Sequence, residues 1–134
     1  MSKELAVGDE LPSVSMRPTA LQLFRYSAVT WNTHRIHYDP DWAKREGHAG
    51  VLVHSHLHAA NALRVLTDGL GPEWVIRSVS YRIVAPAPAG DTLKATARVT
   101  EVSDDGREIK FLLAEVNAAG NACLEGAATV RRLT

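Results

Sequence analysis

The sequence predicts an α+β fold in which helices come first and an antiparallel sheet comes last. Three observations carry this. The pattern changes once, near Gly71-Pro72, from helical and loop-rich to strand-rich. Between His54 and Leu66, apolar residues cover nearly every direction around a helix, so that helix must be buried rather than laid on a surface. Further on, Leu93, Ala95, Ala97 and Val99 alternate with Lys94, Thr96, Arg98 and Thr100, the two-residue period of a strand with one buried face. The expectation is a long, completely covered helix wrapped by a curved antiparallel sheet, in a single domain over residues 1–134.

The elements follow in order. Pro18 suits a first helical turn, and the apolar spacing after it predicts a helix to about Val29. A loop and a short helical turn from Pro40 to about Arg45 come next, stopped by Gly47. The buried helix ends at Gly69, Gly71 and Pro72. Strands are predicted at Val79–Ile83, from Leu93 to Thr100, Ile109–Val116 and Cys123–Leu133. Asp104-Asp105-Gly106 and Gly120-Asn121 mark turns between them, and short connections favour a meander.

Composition narrows the function. The 134 residues are 46% hydrophobic and formally uncharged overall, without the basic footprint of a nucleic-acid binder. The lone Cys123 has no disulfide partner in the chain and reads as a small buried hydrophobe. The first residues lack an apolar signal core, and no apolar run approaches membrane-spanning length, so a cytoplasmic, non-membrane protein is expected.

All six histidines fall between His34 and His58. His54, His56 and His58 would share one face of a strand and invite a metal. On a helix, successive pairs diverge by about 200°, leaving only His54 and His58 together with no acidic partner nearby. No metal is therefore expected, and His56 and His58 read as partly buried or interface residues. Acid–base chemistry suits Asn32-Thr33-His34-Arg35-Ile36-His37-Tyr38-Asp39 better, because imidazole can take and return a proton near neutrality. The unpaired N–H groups where the buried helix begins could receive a developing oxyanion. Together these suggest proton transfer next to a carbonyl. The alternative is a polar loop whose side chains cap the neighbouring helices.

Asn32-x-x-x-x-His37-x-Asp39, followed by Gly50-Val51-Leu52-Val53-His54-Ser55, resembles the MaoC-like hot-dog family of (R)-specific enoyl-thioester hydratases and 3-hydroxyacyl-thioester dehydratases. Tyr81-Arg82-x-x-x-Pro86-x-x-x-Gly90-Asp91-Thr92-Leu93 resembles its strand–turn–strand. The wording around Asn32–Asp39 is similar to the branch with mesaconyl-CoA-like and mitochondrial-type hydratases. The resemblance implies reversible hydration of an enoyl thioester of coenzyme A or acyl carrier protein. It places the family histidine on His37, the family's catalytic aspartate on Asn32, and the oxyanion N–H on Ser55. His34, Asp39 and His54 are possible supports. No cofactor is implied beyond the thioester substrate. A dimer with a continuous sheet is implied, either a homo-oligomer or a pairing with another hot-dog subunit. Arg82, with Arg77 and Arg98, is a candidate contact for coenzyme A phosphates.

Asn32 cannot be a general base, though an amide can orient water. That departure keeps a non-catalytic partner subunit in play. A hot-dog thioesterase is the other rival; it would normally need an acidic residue on the central helix, which offers only Asn61 and Asp68. Trp31, Trp42 and Trp74 read as core or interface anchors.

Overall fold

A computed structural model describes residues 4–134. The elements are β1 (Val14–Met16), α1 (Ala20–Thr30), a 3₁₀ turn (Arg35–His37), α2 (Pro40–Arg45), α3 (Ser55–Gly69), β2 (Trp74–Ile83), β3 (Leu93–Val102), β4 (Glu108–Val116) and β5 (Ala122–Arg132). Among the described residues the strands form one antiparallel sheet in the order β1-β3-β4-β5-β2. Register shifts in β2, in β3 and between β4 and β5 add local bends, which help the sheet curl around α3.

Close approach of helix and sheet follows from small side chains on both. Ala59 and Ala62 of α3 share a core with Ala95 and Ala97 of β3, and with Val65, Leu66, Val99, Ile109, Phe111, Leu113, Leu124, Ala128 and Val130 around them. Large-to-small changes at such a centre are costly because the surroundings collapse only partly.

Five expectations are corrected. Pro18 lies two residues before α1, whose N-cap is Thr19, its side chain accepting from the Gln22 N–H. The meander holds only for β3-β4-β5: β2 pairs with β5 across the chain, because the β2–β3 connection crosses to the far side of the sheet. β2 also begins five residues earlier than predicted, at Trp74, and β1 is an additional edge strand. Finally, α3 is not covered all round. His56, Ala60, Arg64 and Thr67, at helical spacing, form an exposed stripe, while Leu57, His58, Ala59, Asn61, Ala62, Val65 and Leu66 are buried.

One buried polar cluster interrupts this core. Glu115 occupies an inward position of β4, after Ile109, Phe111 and Leu113, and is fully buried. Its carboxylate accepts from His58 Nδ1 and from Asn61 Nδ2 at 2.7 Å, and Asn61 Nδ2 also reaches the Leu93 carbonyl at 3.3 Å. His58 is thus fully rather than partly buried, and His56 is exposed. Glu115→Gln replaces one accepting oxygen by an amide NH2 facing another donor, so it should lower stability by about 1–3 kcal/mol, read from urea unfolding. An unchanged midpoint would show that the carboxylate does not hold the helix to the sheet.

Candidate active site

The histidine-rich loop is built by its own side chains. Trp31 ends α1 with a left-handed backbone (φ 54°), letting the Asn32 N–H bond back to the Ser27 carbonyl at 2.9 Å. A tryptophan there carries strain of about 1–3 kcal/mol, and the ring is 82% exposed rather than a core anchor. Trp42 and Trp74 are half-buried, and Trp74 packs against the core. Asn32 Oδ1 accepts from the His34 N–H at 3.2 Å, while His34 Nδ1 accepts from the Ile36 N–H and so starts the 3₁₀ turn. Tyr38 donates to the Thr33 carbonyl at 2.7 Å. Asp39 caps α2, its Oδ1 accepting from the Asp41 and Trp42 N–H groups; its Oδ2 pairs with Arg35 at 2.6 Å. Arg35 holds Asp39 below the usual carboxylate range. The Arg35 guanidinium also lies 4.5 Å from the Trp42 ring centroid.

The second wall is the segment leading into α3. The Leu52 N–H bonds the Ile36 carbonyl, the Val53 N–H the Ala87 carbonyl, and the Ala89 N–H the Val51 carbonyl. This segment is therefore pinned between the histidine loop and the turn before β3. It presents the Leu52 carbonyl to His37 Nδ1 at 2.8 Å. A carbonyl only accepts, so Nδ1 carries the hydrogen and the neutral ring keeps its lone pair on Nε2. Burial pushes the His37 imidazole below its ordinary value; the Leu52 hydrogen bond opposes this and nearby His34 adds to it. His37 is in the form a general base requires.

His37 stacks on His54, with ring centroids 3.9 Å apart and planes 16° from parallel. His54 is the N-cap of α3, and its side chain makes no capping bond. The first amides of the helix, Ser55 and His56, consequently have no hydrogen-bond partner among the described residues. His37 thus stacks on the residue that immediately precedes these two amides. Burial, with His37 and His56 nearby, lowers His54 to about 4 from 6.5. The unfolded chain therefore takes this proton first as pH falls. Stability should be fully present above about 6.5 and decline towards 4, and His54→Phe should flatten that decline in urea unfolding at stepped pH. Equal pH dependence in both proteins would contradict it.

An open groove of about 480 Å³ runs beside the loop, lined by Tyr26, Thr30, Trp31, Asn32, Thr33, His34 and His56. His37 lies behind His34, with rings 5.9 Å apart edge-to-face. The chain therefore gathers Asn32, His34, His37, His54 and Ser55 in one place. Asp39 belongs to the same loop, with both oxygens committed. Arg82 is not brought there: Tyr81 and Ile83 pack on the core, so Arg82 falls on the outer face, paired with Glu125 at 3.0 Å. Sequence reasoning missed Ser27, whose hydroxyl lies 2.7 Å from His54 Nε2, and Glu115. Both carried a signal, since each is a polar residue in phase with a buried row, Ser27 four after Leu23 and Glu115 two after Leu113.

The architecture is shared with solved structures. The (R)-hydratase from A. caviae involved in PHA biosynthesis matches with a TM-score of 0.90 at 23% identity, over 98% of this chain and 99% of that one. A chain of the ChsH1-ChsH2 complex from Mycobacterium tuberculosis matches at 0.85 and 24%, over 95% and 98%. The MaoC-like dehydratase from Rhodospirillum rubrum matches at 0.79 and 20%, over 96% and 93%. The fold is therefore the hot-dog fold of MaoC-like dehydratases. The family described as hydroxyacyl-thioester dehydratase type 2 matches residues 3–89, and the chain belongs to it.

Curated relatives agree in kind. Mesaconyl-C(4)-CoA hydratase of Chloroflexus aurantiacus is 46% identical over 57 residues, which are 37% of this chain and 20% of that protein. The chain thus spans a small part of that relative. The (R)-specific enoyl-CoA hydratase of Rhodospirillum rubrum is 28% identical over 81% of this chain and 75% of its own length. The 3-oxo-4,17-pregnadiene-20-carboxyl-CoA hydratase beta subunit of Mycobacterium tuberculosis is 28% identical over 73% and 76%.

Proposed function

We propose that the chain adds water reversibly across the α,β double bond of an enoyl thioester carried on coenzyme A or acyl carrier protein. The observation that carries this is His37: its Nδ1–H is tied to the Leu52 carbonyl, and its ring lies against the helix end that offers the free Ser55 and His56 amides. In hydration, His37 Nε2 takes a proton from water as oxygen bonds to C3. The double-bond electrons move into the thioester carbonyl, and the Ser55 N–H holds the resulting oxyanion. When the enolate collapses, His37 returns the proton to C2, so the site ends as it began. The Asn32 oxygen accepts from the His34 N–H, while its Nδ2 has no partner among the described residues and is available to orient the water. The thioester itself acidifies the α-carbon, so these steps require no metal or redox cofactor.

The pH dependence follows from the same ring. Since burial lowers His37, activity should hold below pH 6.5 before falling as the base protonates. The decisive assay follows the absorbance of the conjugated thioester on adding the protein to short and medium enoyl-CoAs. Loss of that absorbance without thiol release supports hydration. Release of free thiol would show a thioesterase instead.

A second reading has its own support. Asn32 stands where the resemblance implies an aspartate, and one relative is named as a beta subunit. β2 is a ten-residue edge strand with Ile76 and Val79 exposed, suited to extending the sheet with another subunit. A partner subunit would be inactive alone and restore turnover on mixing with a better-equipped homologue. A homodimer would be active by itself. The candidate contact of Arg82 with coenzyme A phosphates would then have to come from such an assembly, because within one chain it lies on the outer face.

A further inference from the structure

Behind the proposed base lies a side chain that the reaction does not touch. Ser27 is on the buried face of α1, four residues after Leu23, and its Oγ lies 2.7 Å from His54 Nε2. His54 is 1% exposed, and its other nitrogen, Nδ1, has no partner among the described residues. The Ser27 bond is thus the sole polar restraint on a buried ring. Around that ring stand Tyr26 of α1, edge-to-face at 4.7 Å, His56 of α3, and His37 stacked on its face. Among the described residues, the hydrogen bond and ring contacts of His37 are with the Leu52 carbonyl, His34 and His54; Asp39, the nearest carboxylate in sequence, is committed to Arg35 and the α2 cap.

We propose that Ser27 is a positioning residue: through its hydrogen bond it fixes the His54 ring, and the fixed ring sets the plane of His37 and the direction of its Nε2. The inference rests on His37 being the base. The hydrogen bond at Nδ1 restrains His37 at one point, which leaves the ring free to tilt about it. The parallel face of His54 removes that tilt. Without Ser27, both His54 nitrogens are buried and unmatched, so the ring turns to find a partner and the stack loosens. A base misaimed by a fraction of an ångström loses rate without losing substrate affinity.

The test joins ¹⁵N NMR of the histidine rings to kinetics in Ser27→Ala, a helix-compatible change of one atom. The expected result is a kcat lower by about 10-fold or more with KM within about two-fold, and broadened or split His37 ring signals. The melting transition should still be cooperative. Ser27→Thr, which keeps the hydroxyl, should restore both. A variant with wild-type His37 signals and wild-type kcat overturns the proposal, as does a Thr variant that behaves like Ala. If the wild type turns over no enoyl thioester, the proposed function fails, and the NMR comparison alone decides whether Ser27 orders His37.

Discussion

His37→Ala should lower the rate of thioester hydration by about 100- to 10,000-fold. The fold should survive, because His37 is half-buried in a loop and outside the hydrophobic core. The loop keeps its other supports: the Asp39 cap, the Arg35 pair, the Tyr38 bond to Thr33 and the Leu52–Ile36 backbone bond. Loss of the base should fall mainly on kcat, since proton transfer belongs to the transition state. His37→Gln is the companion variant: it retains a donor for the Leu52 carbonyl yet cannot take a proton, and should be as inactive as Ala. Crotonyl-CoA hydration within a few-fold of wild type in either variant would remove His37 from the chemistry.

The second large effect concerns an amide hydrogen. Ser55 is the first residue of α3, and its N–H has no partner among the described residues. Proline is well suited to a first helical position. The preceding His54, at φ −66° and ψ 143°, already has the extended backbone that a following proline demands. Ser55→Pro therefore deletes the proposed oxyanion donor with little disturbance to the helix. It should cost about 100- to 1000-fold in kcat. Ser55→Ala keeps the amide and removes the hydroxyl, so it should stay within a few-fold of wild type. Equal losses in the two would assign the effect to the side chain instead.

Much of this arrangement was legible in the sequence, and the failures have identifiable causes. α3 was visible because its apolar residues crowd one segment. Its exposed stripe was not, because Ala60 and Thr67 fit either a buried or an open face. The phase of each strand was visible as well, yet alternation does not encode which strand pairs with which. β2 therefore joining β5 could not be read locally. β1, three residues long, is too short to show a period. In the site, residue types and spacing pointed to the histidine loop and to the start of the buried helix, and only the family resemblance singled out Asn32, His37 and Ser55 within them. The His37–His54 stack and the Ser27 bond join residues 17 to 27 apart in sequence, so neither is visible in local spacing. The outer-face placement of Arg82 was legible from the core-facing phase of Tyr81 and Ile83 on either side of it.

The account depends on one thioester being reached from two sides, by a base and by an amide. A crystal structure of the protein with a bound enoyl- or 3-hydroxyacyl-CoA tests this most directly. The carbonyl oxygen should lie about 3 Å from the Ser55 nitrogen, with C3 facing His37 Nε2 across the position of one water. A thioester bound elsewhere, or with its carbonyl turned away from the start of α3, would contradict it.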